Sequence, residues 1–154
     1  MNVRDENMIR RAILADIPQM VQVENLCFPV PWPDFLFKAH LNNPGFVAYE
    51  EEGLVLGYAM VGDFRGKAHL QNIAVHPDFR RQGIGTELIE WCIDLVRLYG
   101  YREMVLEVRE KNTGSQAFYS SNGFKVSRTV EGYYMDDNAI VMSRKIYALP
   151  LPEA

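Results

Sequence analysis

A chain of 154 residues with 48% hydrophobic and 23% charged residues has the size and balance of one globular domain, able to bury about two-thirds of its unfolded surface. Its net charge of −4 offers no basic excess to neutralise phosphates, which excludes a general nucleic-acid binder, and no apolar run reaches the roughly 20 residues that span a bilayer. Residues 1–11 are polar with no signal-peptide core, and Cys27 and Cys92 form no C-x-x-C pair, so buried free thiols in the cytoplasm are expected. No cluster of His, Cys, Asp and Glu has ligand spacing, so no metal is expected.

Residues 8–14 alternate and are β-branched enough to predict a first strand. Asp16 is placed to cap a helix with Ile17, Met20, Val21, Val23 and Leu26 on its apolar side and Pro18 tolerated in its first turn. Phe28-Pro29 ends it, and Pro29, Pro31 and Pro33 keep the next segment from being helical. Asp34 is expected to cap a short helix over 35–41, stopped at Asn42-Asn43-Pro44. Strands follow over 45–50 and 54–61, joined as a hairpin at Glu51-Glu52-Gly53, and a further strand over 67–75. The longest periodic helix covers 83–99, its apolar face formed by Ile84, Leu88, Ile89, Trp91, Cys92, Leu95 and Val96, with Gly100 as its stop. Beyond it come a strand over 103–109, a short helix over 115–121 closed by Asn122-Gly123, and strands over 124–130 and 139–146. Residues 147–154 read as a loose tail. The pattern is α+β, mixed strands and helices around one sheet in a single domain.

Arg80-Arg81-Gln82-Gly83-Ile84-Gly85 lies between a strand and the longest helix. Glycines there let the backbone approach a ligand, and the helix start adds unpaired N–H groups and the positive end of its dipole. With two arginines above it, the turn is an anion site suited to a pyrophosphate. It lacks the lysine of a P-loop and the spacing of the dinucleotide fingerprint. On these residues alone a second reading stays open, in which the glycines serve tight packing and the arginines are solvated.

Arg80, Gly83 and Gly85 match the pyrophosphate motif Arg/Gln-x-x-Gly-x-Gly/Ala, and the chain here resembles the GNAT superfamily of N-acetyltransferases. Leu106-Glu107-Val108-Arg109, Asn112 and the run Ala117-Phe118-Tyr119 to Gly123-Phe124 resemble the corresponding segments of RimI-type protein N-terminal acetyltransferases. Phe28-Pro29-Val30-Pro31-Trp32 and Gly132-Tyr133-Tyr134, ahead of Ala139-Ile140-Val141-Met142, resemble two more, so four motifs in order cover residues 9–146. The resemblance implies the GNAT fold: a curved mixed sheet splayed between its fourth and fifth strands, here 67–75 and 103–109, with about four helices. It implies acetyl-CoA as donor, its pantetheine arm paired with Ile73, Ala74 and Val75 and its pyrophosphate cradled by Arg80, Arg81, Gln82, Gly83, Ile84, Gly85 and Thr86.

Acetyl transfer needs a neutral amine, stabilisation of an oxyanion and a proton for the departing thiolate. An α-amino group with pKa near 8 is neutral in roughly one molecule in ten at pH 7, whereas a lysine is neutral in only about one in 2,500. On the residues alone, Glu107 in the run Met104-Val105-Leu106-Glu107-Val108 is open between a general base and a solvated glutamate. The resemblance places the family's catalytic glutamate on Glu107, its general acid on Tyr119, also a CoA contact, and a CoA-contacting asparagine on Asn112. As a core residue, Tyr119 would instead pack beside Phe118 and Phe124, and Asn112 can equally cap a helix. Some archaeal relatives carry a histidine matching His69 that orders a catalytic water; the alternative for His69 is structural. Pro31, Trp32, Tyr133 and Tyr134 are expected on the acceptor side, with the two tyrosines equally readable as aromatics covering the core. The chain departs from the family at Asp136-Asp137-Asn138, one residue shorter than the usual turn, and at Val30, where archaeal and eukaryotic relatives have a glutamate. The implied acceptor is a protein N-terminus, a ribosomal protein being the natural candidate, with no membrane or nucleic-acid partner and the oligomeric state left open. A small-molecule amine or a lysine side chain as acceptor, or an acyl-CoA-binding module without turnover, remain as alternatives. Glu107 and Tyr119 speak against the last, because a pure binder needs neither.

Overall fold

Seven strands and four α-helices follow one another as β1 (Ile9–Arg11), α1 (Ile17–Cys27), α2 (Asp34–Ala39), β2 (Phe46–Glu51), β3 (Leu54–Phe64), β4 (Lys67–Val75), α3 (Ile84–Leu98), β5 (Glu103–Arg109), α4 (Thr113–Ser121), β6 (Lys125–Val130) and β7 (Ala139–Lys145). Short 3-10 turns, Leu14–Asp16 and Pro77–Phe79, precede α1 and α3. The structure, a computed structural model, describes residues 8–150, so residues 1–7 and the end of the expected loose tail, 151–154, lie outside the described residues. The strands form one mixed sheet of order β1-β2-β3-β4-β5-β7-β6.

The chain divides into two compact units, Met1–Gly62 with Asn72–Cys92, and Asp63–Gln71 with Ile93–Ala154. In the first unit β1, β2 and β3 pair antiparallel. The β2–β3 turn places both Glu52 (φ 51°) and Gly53 (φ 81°) in the left-handed region, the geometry of a tight hairpin. Its core gathers Ile17, Met20 and Val23 from α1 with Phe37, Phe46, Tyr58 and Met60. In the second unit β4 pairs parallel with β5 at two positions, Ala68 with Met104 and His69 with Val105. There β5 pairs antiparallel with β7 along its whole length, and β7 with β6. Ile93, Val96, Met104, Leu106, Phe124 and Met142 are buried in that unit.

Three local expectations are corrected. Asp16 occupies the cap position of α1, as expected, but its side chain makes no capping bond; the buried carboxylate accepts from the Arg10 guanidinium at 2.8 and 2.9 Å and from the Ile13 N–H at 2.8 Å. Asp34 is the first residue of α2 and Pro33 its cap residue, because proline fixes the extended φ that a cap position needs. Leu26 is 59% exposed, since nine residues beyond Ile17 at 100° per residue bring it to the opposite side of α1. Glu24, seven residues beyond Ile17, returns to the buried side and is 2% exposed.

Gly57 in β3 is set by close approach. A Cβ there would lie 2.8 Å from the Ala74 carbonyl oxygen of β4 and 3.3 Å from the Leu88 side chain of α3. Gly57→Ala is therefore expected to lower unfolding free energy by about 1–3 kcal/mol, read from a urea transition.

Candidate active site

Burial along β5 alternates around its polar residues: Glu103, Glu107 and Arg109 are half-buried while Met104, Leu106 and Val108 are buried. Period two therefore puts Glu103, Val105, Glu107 and Arg109 on one face. On β4 the same alternation leaves Lys67, His69 and Gln71 on the less buried side. The parallel register of His69 with Val105 brings these faces together. Lys67 Nζ lies 3.2 Å from Glu103, and His69 Nε2 lies 2.6 Å from Glu107 Oε2. The His69 and Glu107 side chains keep 17% and 21% of their exposure, so the pair is partly desolvated yet within reach of a ligand.

Aromatic rings surround this pair. The Phe64 ring contacts the His69 ring at 5.7 Å. Tyr133 and Tyr134 meet edge to face at 5.0 Å, and the Arg109 guanidinium lies 4.3 Å from the centre of the Tyr134 ring. Arg109 also pairs with Asp136, which fixes the turn carrying both tyrosines. Burial raises the Tyr133 phenol, and the Glu107 charge adds to it. Burial pushes Tyr134 up to about 12, with Tyr133 and Glu107 adding to the effect. Two of the four residues expected on the acceptor side, Tyr133 and Tyr134, thus lie within electrostatic reach of Glu107.

The shortened turn is itself well tied. Asp137 accepts from the Lys111 N–H at 2.9 Å, and Asn138 accepts from the Gly132 N–H and donates to Glu110, both at 2.9 Å. Tyr119 sits on α4 between Phe118 and Phe124, with ring centres 5.5 and 5.9 Å away. Burial, and then the neighbouring Tyr134, raise its phenol well above the ordinary tyrosine value. Asn112 caps α4 by accepting the Ser115 N–H at 3.0 Å.

In the first unit, the anion turn forms at the start of α3. Arg81 (φ 64°) and Gly83 (φ 82°) both adopt left-handed backbone, and a Cβ on Gly83 would meet nothing within 4 Å. The first intrahelical bond runs from the Glu87 N–H to the Gly83 carbonyl at 3.0 Å, so the N–H groups of Ile84, Gly85 and Thr86 have no intrahelical acceptor. Gln82 and Thr86 are exposed and Ile84 is buried, which anchors the helix end while the turn stays open. Arg81 has no partner among the described residues. The guanidinium of Arg80, expected at the anion, bonds within the protein: its Nε donates to the Val75 carbonyl and its Nη2 to the Cys27 sulfur, each at 3.2 Å.

Just before the turn, the His76 N–H bonds to the Leu56 carbonyl at 2.8 Å, and the Ala74 carbonyl also faces β3 at Gly57. Alternation along β4 then directs the backbone groups of Ile73 and Val75 to the other edge. Three features fit a CoA-type donor: the strand edge at Ile73, whose backbone groups point away from β3, the bare helix N–H groups and the open space above Gly83.

Sequence reasoning missed Glu24. Its two oxygens take the Asn72 Nδ2 at 2.9 Å, the Trp32 N–H at 2.8 Å and the Tyr58 hydroxyl. The signal was present in the helical spacing, because Ile17, Met20 and Glu24 share one face. Pro31 and Trp32 are half-buried, with the Trp32 ring packed on Phe37 and stacked on His40. Among the described residues no group of three His, Cys, Asp or Glu could hold a metal ion, and no helix is long and apolar enough to cross a membrane.

The sequence pattern of the acetyltransferase (GNAT) family matches residues 17–124. The N-alpha-acetyltransferase of Sulfurisphaera tokodaii is 32% identical over 154 residues, covering 90% of this chain and 92% of its own. The ribosomal protein bS18-alanine N-acetyltransferase of Escherichia coli K12 is 30% identical, covering 91% of this chain and 98% of its own. Among solved structures, that of the ribosomal-protein-S18-alanine N-acetyltransferase from Escherichia coli matches with a TM-score of 0.79 at 28% identity, covering 95% of this chain and 97% of that one. With the seven-stranded mixed sheet and its short parallel β4–β5 pairing, these likenesses place the chain in the GNAT family: it is an acyltransferase of that family.

Proposed function

We propose that this enzyme acetylates the α-amino group of a protein N-terminus, a ribosomal protein being the favoured acceptor, with acetyl-CoA as donor. The observation that carries this reading is the 2.6 Å contact of Glu107 with His69, flanked by Tyr133 and Tyr134. The named activities of the bacterial and archaeal relatives support the N-terminal acceptor. We treat the chain as one acetyltransferase domain working in the cytoplasm, where Cys27 and Cys92 stay free thiols.

Bound acetyl-CoA supplies an acetyl group activated as a thioester. The N–H groups of Ile84, Gly85 and Thr86 would hold its pyrophosphate, with Arg81 adding positive charge, and the strand edge around Ile73 would pair with its pantetheine amides. Glu107 accepts a proton from the acceptor ammonium, directly or through one water, and His69 holds the carboxylate in place. An N-terminal amine needs that help over only about one pKa unit at pH 7, whereas a lysine would need it over more than three. Tyr119 carries the proton offered to the departing sulfur. Because its phenol is raised above its ordinary value, it stays protonated throughout the working range but is a weaker acid than a thiol. Its contribution is then a donated hydrogen bond to the developing thiolate, with full protonation completed by solvent. Tyr133 and Tyr134 are assigned to the acceptor peptide, and so is the loop that carries Trp32.

A thiol-release assay with acetyl-CoA and a panel of N-terminal peptides, acetyl-blocked lysine peptides and polyamines tests this reading. Release with unblocked N-terminal peptides, at least about tenfold faster in kcat/KM than with the other amines, is expected. Preference for lysine peptides or polyamines would assign a different acceptor, and no release with any amine would remove the mechanism.

A further inference from the structure

Between α1 and α2 the sequence Pro29-Val30-Pro31-Trp32-Pro33 cannot be held by regular structure, because three of its five residues have no N–H. Only Val30 and Trp32 carry backbone donors. The Trp32 N–H is taken by Glu24 Oε2 at 2.8 Å. The other carboxylate oxygen accepts from Asn72 Nδ2 of β4 at 2.9 Å and from the Tyr58 hydroxyl of β3. Glu24, Tyr58 and Asn72 are 2%, 0% and 8% exposed, so this acceptor set is closed to water. Burial, followed by the Glu24 charge, raises the Tyr58 phenol strongly, which keeps its hydrogen on the bond to Glu24.

A leucine at this position of α1 would fill the core at lower desolvation cost, and a buried carboxylate is tolerable only with its hydrogen bonds complete. What the carboxylate adds is a fixed distance between three segments. Asn72 is the residue immediately before Ile73, whose edge is assigned to the donor, and Trp32 is on the acceptor loop. Three residues further along α1, the Cys27 thiol lies 3.5 Å from the Val75 carbonyl, so the end of the helix rests on the same stretch of β4. Packing of the Trp32 ring on Phe37 and His40 holds the side chain but leaves the backbone path of the loop to the Glu24 bond.

We infer that Glu24 is a positioning residue for the acceptor: its carboxylate pins the Pro29–Pro33 loop, through the Trp32 N–H, to the β3 and β4 backbone beside the donor strand. This rests on the N-terminal acceptor reading above. Without the bond, the loop gains alternative paths and acceptor binding weakens, while the donor groups, held by β3–β4 pairing and the α3 N-terminus, are untouched.

The test compares wild type, Glu24→Gln and the milder Tyr58→Phe, which removes one donor and leaves the carboxylate. Steady-state kinetics give KM for an N-terminal peptide, calorimetry gives Kd for CoA, and NMR gives hydrogen exchange at the Trp32 amide. Glu24→Gln should raise acceptor KM at least about tenfold, keep CoA Kd within about twofold and accelerate Trp32 exchange at least about tenfold; Tyr58→Phe should shift the same quantities in the same direction by less. Acceptor KM and Trp32 exchange both within about twofold of wild type in the two variants would overturn the inference. So would equal loss of CoA and acceptor binding in Tyr58→Phe, which would make the network purely structural. If wild type turns over no N-terminal peptide, the acceptor reading fails on its own, and the Trp32 exchange rate still decides whether Glu24 pins the loop.

Discussion

Glu107→Gln should reduce kcat by about 10²–10³-fold while leaving Kd for CoA within about twofold of wild type. Glutamine keeps the shape of the side chain and can still hydrogen-bond to His69, so the β4–β5 contact survives and unfolding free energy changes little. The lost property is the capacity to take up a proton from the ammonium. The loss should therefore appear in kcat rather than in donor binding, and should shrink at higher pH, where more of the α-amino group is already neutral. Stopped turnover and isothermal titration on the same preparation read both quantities. A parallel fall in activity and CoA affinity would make Glu107 structural.

Gly83→Trp should weaken CoA binding by at least about 100-fold with the fold retained. The position is open in the protein itself, since a Cβ there meets no atom within 4 Å, but its φ of 82° costs a side chain about 1–2 kcal/mol. That strain leaves most domains folded. An indole above the bare N–H groups of Ile84, Gly85 and Thr86 would occupy the space that a pyrophosphate needs. Calorimetric titration with CoA, alongside circular dichroism and a thermal melt, separates blocked binding from misfolding. Unchanged affinity would refute the pyrophosphate assignment.

Elements set by local pattern were legible. The strand over 67–75, the strand over 103–109 and the long helix follow directly from alternation, helical periodicity and the Gly100 stop. Gly83 was legible as a special backbone position because a bare glycine opening a helix has few other reasons to be there. The pairing of Glu107 with His69 was not readable from the residues. They are 38 positions apart, and only the parallel register of β4 and β5 brings them into contact.

Side-chain partners were the other part that the sequence did not show. Arg80 was read as a pyrophosphate residue from its motif position and charge, and the sequence did not show that the Val75 carbonyl and Cys27 sulfur also bond to its guanidinium. Asp16 stands at the cap position of α1 but makes no side-chain bond to the helix, because Arg10 on β1 is a stronger partner for a carboxylate than the neutral helix N–H groups. Glu24 was passed over because a polar residue in a helix is ordinarily assigned to solvent, although its spacing from Ile17 and Met20 marked it as buried.

The most direct test of the central claim uses one peptide that carries both a free N-terminus and an internal lysine. After reaction with acetyl-CoA and this enzyme, tandem mass spectrometry locates the added acetyl group. Acetylation confined to the α-amino nitrogen, and abolished when the N-terminus is blocked, is the predicted result. Acetyl groups on the lysine side chain, with the N-terminus left free, would contradict it.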